Sequence, residues 1–210
     1  MLPGTEPSAA ARAAAVLTPS DGAILHTVVL ETSRYPDGSV DRGWTETWQL
    51  TSPPFDKREV SGRELGTADG AAQYYDPRTN TIHTTAPNAV RERAPRSGAG
   101  TGHLREDMLG LLRSSDVREE GSVTVGGRRA IRIVSAARNE TLVIDAVSAE
   151  PIEYSIVSDE RIRVTNRFQT YELLPATDAN LRLVSLRAQH PDARIVQDVE
   201  VEGIGGTKRQ

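Results

Sequence analysis

The sequence predicts an α+β fold, with one antiparallel sheet of about ten strands covered by two or three helices. Three observations lead to this fold class. Segments rich in β-branched and aromatic residues alternate with polar turns along most of the chain. Only the stretches 8–17, 103–113 and 181–190 have a helical composition or spacing. These helices are too few and too unevenly placed for a parallel βαβ fold.

The N-terminal half predicts a helix followed by hairpins. Alanines favour a helix over 8–17, with Ser8 as its N-cap. The turn signal Pro36-Asp37-Gly38 joins two long strands into a hairpin. The strands expected in this half are 23–32, 40–50, 57–60, 71–76 and 81–85, with a turn-rich stretch at 62–70.

The C-terminal half predicts a helix, a hairpin and a three-stranded meander. Leu104, Met108, Leu111 and Leu112 form an apolar stripe on a helix over 103–113, which should cover one face of the sheet. The turn Gly126-Gly127 indicates a hairpin. The expected strands are 117–125, 129–135, 141–145, 151–157 and 161–173, then 194–201 after a loop at 174–180 and a short helix at 181–190.

Alternation along the meander assigns its side chains to two faces. Leu142 and Ile144 share one face, which we expect to be apolar and covered. Arg161, Arg163 and Thr165 share another, which should face water. No linker separates two self-sufficient cores, so we expect a single domain over 1–210 with flexible ends at 1–7 and 203–210.

Composition excludes several classes of function. The net charge is −4, which lacks the positive footprint of a nucleic-acid-binding domain, and we expect no nucleic-acid partner. The chain has no cysteine, so disulfides, thiolate metal sites and cysteine nucleophiles are excluded together. Met1 to Glu6 does not resemble a signal peptide. The chain is therefore either cytoplasmic or follows a removed leader or anchor.

No motif predicts catalysis, a metal or a cofactor. The four histidines, His26, His83, His103 and His190, lack the spacing of a zinc site. The nucleophile motif Gly-x-Ser-x-Gly is absent. The Gly-rich run 97–102 lacks the Lys of a phosphate-binding loop, and we interpret 91–102 as a mobile loop able to act as a lid. Its Arg91, Arg93 and Arg96 could bind an anionic headgroup or a partner.

Both tryptophans lie on one face of one predicted strand. Trp44 and Trp48 share this face with Leu50, because successive strand residues alternate. The rings either pack in the core or line a cavity for an apolar ligand between the sheet and its covering helix. The two interpretations share one geometry and differ in whether the space is filled.

The order of elements resembles the lipoprotein-localisation fold. The residues that carry the resemblance are the hairpin that begins Tyr74-Tyr75-Asp76-Pro77, the run 142–145 and the run 151–154. This fold is shared by periplasmic carriers of the LolA and LolB kind and by the N-terminal domain of the regulator RseB. The runs 21–26, 171–175 and 185–191 further resemble cell-envelope proteins of actinobacteria. The resemblance covers roughly residues 10–201.

The resemblance implies a half-barrel, in which a curved sheet holds acyl chains on an apolar concave face. It implies an extracytoplasmic, secreted or membrane-anchored location, no enzymatic activity and no cofactor. The implied partners are a lipid or lipoprotein acyl chain and an envelope protein, with membrane association through an anchor outside the chain. The residues expected to line the cavity are Trp44, Trp48, Leu142, Ile144, Ile156 and Phe168.

Two further hypotheses stay open at this point. In the first, the chain is a sensory or regulatory interaction module of the RseB kind, with a filled core. It would then bind a partner through the loop 91–102 or the edge strand near Arg194 to Val201. In the second, the chain is an enzyme with His26 or His83 in its pocket.

Overall fold

The computed structural model describes residues 7–19, 22–85 and 104–197. Expectations for the first six residues, for the loop 91–102 with its three arginines, and for residues 198–210 lie outside the described residues. No helix in the described ranges has the length and apolar character needed to cross a membrane.

The described residues form four helices and twelve strands. The helices are α1 (Ala9–Val16), α2 (Leu104–Leu112), α3 (Asp178–Val184) and α4 (Leu186–Gln189). The first six strands are β1 (Ala23–Arg34), β2 (Val40–Leu50), β3 (Lys57–Val60), β4 (Glu64–Ala68), β5 (Ala71–Asp76) and β6 (Thr81–Thr84). The others are β7 (Arg118–Val125), β8 (Arg128–Ser135), β9 (Glu140–Asp145), β10 (Pro151–Val157), β11 (Arg163–Pro175) and β12 (Arg194–Gln197).

All twelve strands belong to one sheet, in the order β12-β6-β5-β4-β3-β2-β1-β11-β10-β9-β8-β7. The order is linear, so the sheet is open, with β12 and β7 at its edges within the described residues. The pairs from β2 to β6 and from β7 to β11 are antiparallel. The predicted α+β class, an open antiparallel sheet with covering helices, is thus confirmed.

One strand and one pairing depart from the prediction. The turn-rich stretch 62–70 contains β4, and β12 pairs with β6 in parallel. At Gly66 in β4, a Cβ would lie 3.0 Å from the Lys57 carbonyl oxygen and 3.2 Å from the Leu186 side chain. Glycine is therefore required for close packing, although it lowers the strand propensity of the segment.

The region 174–190 also differs from the prediction. Thr177 caps α3 by accepting a hydrogen bond from the Asn180 amide, so part of the expected loop is helical. Ser185 is extended and caps α4 through the Ala188 amide. The predicted helix over 181–190 is therefore two short helices.

The chain divides into two compact units. Unit 1 contains residues 1–19, 28–45 and 99–171, and unit 2 contains 20–27, 46–98 and 172–210. The single domain expected from the sequence stays a prediction.

The core of unit 1 lies between α1, α2 and one face of the sheet. Ser8 accepts a hydrogen bond from the Ala11 amide, which confirms it as the N-cap of α1. Three residues of the predicted stripe of α2, Leu104, Met108 and Leu111, are buried, and the fourth, Leu112, is half-buried. The buried side chains are Ala9, Ala13, Leu17, Val29, Leu104, Met108, Leu111, Ile133, Leu142, Ile144, Ala149 and Tyr154.

Unit 2 has a smaller core. Ile24, Trp48 and Val184 are buried together, so α3 contributes to it. The half-buried side chains around them are Leu50, Val60, Leu174 and Leu183.

Candidate functional site

Four of the six predicted cavity residues share one face of the sheet in unit 1. Ile133, Leu142, Tyr154 and Asn166 lie side by side on β8, β9, β10 and β11, and their side chains define what we call the core face. Two residues further along their strands, Ile144, Ile156 and Phe168 point to the same side. Their common orientation follows from the strand alternation seen in the sequence.

Leu142 and Ile144 are enclosed on this face. They are 0% and 1% exposed, and they pack with Met108 and Leu111 of α2. Accessible surface includes the walls of any internal void that admits water, so these two side chains border no such void. A ligand that contacts them must displace a helix. Phe168 and Ile156 are only half-buried and lie nearer the margin of the face.

A pair of buried polar side chains interrupts the core face. Tyr154 and Asn166 face each other on β10 and β11 and are 2% and 3% exposed. The Asn166 Oδ1 atom has no hydrogen-bond partner, and the Tyr154 hydroxyl has none of normal geometry. Leaving such an atom unpaired in a core costs about 1–3 kcal/mol, so each requires an explanation.

An ion pair lies next to the Tyr154 hydroxyl. Arg138 Nε donates to Glu140 Oε2 at 2.8 Å, and this contact raises the pKa of Arg138. The arginine also lies against α2, since a Cβ at Gly110 would be 3.1 Å from its Nη2 atom. The Glu140 carboxylate is close to the Tyr154 hydroxyl but does not form a hydrogen bond of normal geometry with it.

Burial raises the pKa of Tyr154 well above its ordinary value, and the charges of Glu140 and Asp107 raise it further. The hydroxyl therefore stays protonated at neutral pH and is a donor. Neither it nor the Asn166 amide is a nucleophile under these conditions.

The second aromatic group of the core face surrounds Phe168. Its ring meets Tyr171 edge to face, with the centroids 6.0 Å apart. The Tyr171 hydroxyl donates to the Val16 carbonyl oxygen at 3.4 Å, and burial raises the pKa of Tyr171 to about 12. Arg105 of α2 lowers that pKa in part, and its own Nε atom is buried without a hydrogen-bond partner.

Together these residues offer a donor and an acceptor within an apolar face. Tyr154 can donate to a carbonyl oxygen, and Asn166 can accept from an amide or a hydroxyl. Apolar side chains such as Leu142 and Phe168 lie on the same face. This arrangement suits a neutral polar group attached to a hydrocarbon chain, such as an ester or an amide.

Trp48 lies elsewhere, in the core of unit 2. Its ring stacks on His26 at 4.9 Å with an interplanar angle of 4°, and the Arg58 guanidinium lies 4.1 Å from the ring centroid. His26 Nδ1 is 2.6 Å from Glu172, and Nε2 is 2.8 Å from Glu46. Both nitrogens are thus used within the fold, which argues against His26 as a general base.

Further contacts extend from Arg58. Its Nε donates to the Leu183 carbonyl oxygen at 2.6 Å, and its Nη1 donates to Glu64 at 2.6 Å. Glu64 also bonds His190 Nε2 at 2.7 Å, and His190 stacks on Tyr75 with centroids 3.6 Å apart. These bonds hold α3 and the residue after α4 on β3, β4 and β5. Their arrangement is that of a structural network.

The enzyme hypothesis also named His83. Its ring stacks on that of Tyr74, with the two ring centroids 4.5 Å apart. In the described ranges, no group of three or more histidine and acidic side chains is placed to hold a metal ion. The histidines in these ranges therefore form no assembled metal site.

Trp44 is 46% exposed and does not join the core of either unit. It lies in the part of β2 that belongs to unit 1, whereas Trp48 belongs to unit 2. The alternation of side chains along β2 places both rings on one side of the strand. It does not show which other residues cover each ring.

The sequence did not single out Tyr154 or Asn166. The sequence does contain a signal for Asn166, because this residue occupies an inward position between Val164 and Phe168. A polar residue at such a position indicates either a buried hydrogen bond or a ligand contact.

Comparison with known proteins finds similar solved structures of low sequence identity. No protein-family model matches the chain, and no curated protein matches it. Among solved structures, LprF from Mycobacterium bovis is similar, with a TM-score of 0.47, 11% identity, and coverage of 79% of this chain and 93% of that chain.

Two other solved structures are similar. The MucA/MucB complex of Pseudomonas aeruginosa has a TM-score of 0.41 and 15% identity, over 80% of this chain and 58% of that chain. A LolA superfamily protein from Nitrosomonas europaea has a TM-score of 0.38 and 7% identity, over 83% of this chain and 97% of that chain. One of these structures is a member of the LolA superfamily, the kind of protein that the sequence resembles. The narrower resemblance to actinobacterial proteins stays a prediction.

Proposed function

We propose that this chain is a non-enzymatic binding protein of the cell envelope that holds an acyl-bearing or similarly apolar ligand on the core face of unit 1. The observation that carries the proposal is the buried pair formed by the unpartnered Asn166 Oδ1 and the Tyr154 hydroxyl, which has no hydrogen bond of normal geometry. A ligand ester or amide would pair with both and remove their desolvation cost. The location outside the cytoplasm rests on the sequence resemblance.

The predicted cavity residues take different parts in this proposal. The hydrocarbon chain of the ligand would lie along Leu142, Ile144 and Phe168, with Ile156 at the margin. Because Leu142 and Ile144 are enclosed, binding requires α2 or α1 to move away from the sheet. Trp44 and Trp48 are not part of this site.

The test compares delipidated wild type with Tyr154→Phe, using a fluorescent acyl ester as the probe. We expect the wild type to bind the ester more tightly than the free fatty acid, because Glu140 lies beside the hydroxyl and disfavours a second carboxylate. We expect Tyr154→Phe to weaken ester binding about two- to tenfold, the value of one hydrogen bond. The same substitution should raise the free energy of unfolding, since it removes an unpaired buried hydroxyl.

Tyr75→Phe is the matched control, because its hydroxyl bonds Asn80 at the surface of unit 2. It should leave ester binding unchanged. The proposal fails if the wild type binds neither probe, or if Tyr154→Phe lowers stability and leaves ester binding unaltered. The second result would mean that the hydroxyl serves the fold.

One observation favours the alternative function, a sensory or regulatory interaction module with a filled core. Leu111, Ile133 and Leu142 are each 0% exposed, so the space between α2 and the sheet is filled at these positions. Under this alternative the protein acts through its surfaces. A wild type that binds no acyl probe and yields no acyl species on extraction from its native envelope would support it.

A further inference from the structure

The side of the sheet opposite the core face of unit 1 carries arginines. Arg167 follows the inward Asn166 on β11, so it points to the other side. Arg132, Val143, Glu153 and Arg167 lie side by side on β8, β9, β10 and β11. All three charged residues of this row share the outward side, which we call the arginine face.

The hairpin of β1 and β2 extends this face. Val29 is buried in the core of unit 1, so the next residue, Leu30, points outward. The Tyr35 amide donates to the Ser39 carbonyl oxygen at 3.0 Å, which sets the register of the two strands. Counting back from this bond places Leu30 opposite Trp44, Thr32 opposite Arg42 and Arg34 opposite Val40.

Exposure agrees with this register. Leu30, Val40 and Trp44 are 42%, 38% and 46% exposed, and Arg34 and Arg42 are exposed as well. Large apolar side chains and arginines therefore share one open surface. The acids of the unit 1 part of the hairpin strands, Glu31 and Asp41, alternate to the opposite side.

Arginines outnumber acids on the arginine face. The arginines that it presents are Arg34, Arg42, Arg128, Arg132, Arg163 and Arg167, all exposed. Two of them pair with acids of the same face, Arg167 with Glu153 at 3.3 Å and Arg128 with Asp145 at 2.9 Å. The chain as a whole has a net charge of −4, so the arginine face differs in sign of charge from the chain as a whole.

We propose that the arginine face docks on the surface of a bilayer that contains anionic phospholipids. The arginines extend from β2 to β8, five strand spacings or about 24 Å, which is wider than one extended peptide covers. Guanidinium groups bind phosphate in bidentate fashion. Tryptophan is favoured at the membrane–water interface, where Trp44 and Leu30 would enter the headgroup region.

The experiment measures co-sedimentation with vesicles of phosphatidylcholine, with and without phosphatidylglycerol. The wild type should bind the anionic vesicles only, and salt should weaken the binding. Each arginine near an anionic surface contributes roughly fivefold to affinity, so Arg34→Gln with Arg42→Gln should lower it about 25-fold. The emission of Trp44 should shift to the blue on the anionic vesicles, and brominated lipid should quench it.

The matched control is Arg182→Gln with Arg187→Gln, which removes the same charge from exposed positions of α3 and α4 in unit 2. It should bind as the wild type does. Equal losses in both double variants, or no binding to anionic vesicles, would overturn the proposal. Binding of soluble polyglutamate in preference to vesicles would assign the face to an acidic protein partner instead.

The docking proposal does not rest on the acyl site. Tyr154→Phe should bind anionic vesicles as the wild type does, because its hydroxyl lies on the core face. A protein that binds vesicles but no acyl probe would keep this inference and remove the proposed function. A protein that binds the acyl probe but no vesicles would keep the proposed function and remove this inference.

Discussion

At the scale of single residues, Asp116 shows how one side chain joins distant segments. Its carboxylate accepts hydrogen bonds from the Ala137 amide at 2.7 Å, from the Ser135 hydroxyl at 2.7 Å and from the Ser114 hydroxyl. The backbone bond from Ala137 contributes most to lowering the pKa of Asp116 far below its ordinary value of 3.8. The carboxylate therefore ties the end of α2 to the turn between β8 and β9.

Asp116→Asn should lower the melting temperature by a few degrees at pH 7. Because the pKa is depressed in the folded state, the ionised carboxylate stabilises the protein fully above the ordinary value of 3.8, and this stabilisation declines as the pH falls below it. The difference between variant and wild type should therefore narrow in acid. Thermal unfolding followed by circular dichroism between pH 7 and pH 3 measures it.

Asp159→Asn is the control, since it removes the same charge from an exposed turn. It should leave the melting temperature nearly unchanged. A variant at position 116 that unfolds as the wild type does at pH 7 would show that these hydrogen bonds add no net stability.

The residues of the site were only partly predictable. Alternation identified Leu142 and Ile144 as inward, because that signal is local. Tyr154 and Asn166 could not be recognised as unpartnered, since this depends on which side chains surround them in space. Trp48 was separated from the other cavity residues for the same reason: His26 and Arg58 cover it, and neither is its neighbour in the sequence.

At the scale of elements, β12 lies at an edge of the sheet and, among the described residues, pairs on one side with β6. The Arg194 amide donates to the Asn80 carbonyl oxygen, which fixes the pattern of the parallel pair. The Val196 amide therefore points to β6, and the Ile195 amide points to the open edge. This strand was expected as an edge for partner binding, and the described part of it lies at the edge of the sheet.

Proline substitutions should distinguish the two sides of β12. Val196→Pro removes a ladder hydrogen bond and should cost about 1–3 kcal/mol of unfolding free energy. Ile195→Pro removes only an amide that faces the open edge, where proline is tolerated, and should cost less. Urea denaturation of both variants gives the comparison. Equal costs would contradict the assigned pattern.

Most elements follow from local signals. The strands β2, β3, β5 and β10 begin and end at the predicted residues, because turn residues and β-branched runs bound them. The strand β4 was missed, since Gly66 weakens its propensity and its neighbours hold it in place. The break at Ser185 was missed because its side chain caps α4 rather than continuing one helix.

At the scale of the whole molecule, three strands contribute residues to both units. β1, β2 and β11 each pass from one unit to the other without a linker. The single domain predicted from the sequence requires both units to unfold together. The parallel pairing of β12 with β6 was not predictable, because the local pattern of a short strand does not specify which distant strand it pairs with.

We expect one cooperative unfolding transition, which a substitution in either core should lower. Leu142→Ala in unit 1 and Ile24→Ala in unit 2 each truncate a fully buried side chain, at a cost of about 2–5 kcal/mol. Differential scanning calorimetry should show one peak in both variants, shifted to lower temperature. Two peaks, each moved by only one of the substitutions, would mean that the units unfold separately.

The strand order also has a consequence for how the chain acquires its structure. Neighbours from β1 to β6 and from β7 to β11 are consecutive in the sequence, whereas β1–β11 and β6–β12 join distant segments. Local pairs close small loops and form first, and distant pairs form later because their loop-closure entropy is larger. During synthesis, the edges of β1 and β6 that pair with β11 and β12 therefore stay unpaired until those strands emerge. That interval is when the chain is most exposed to aggregation.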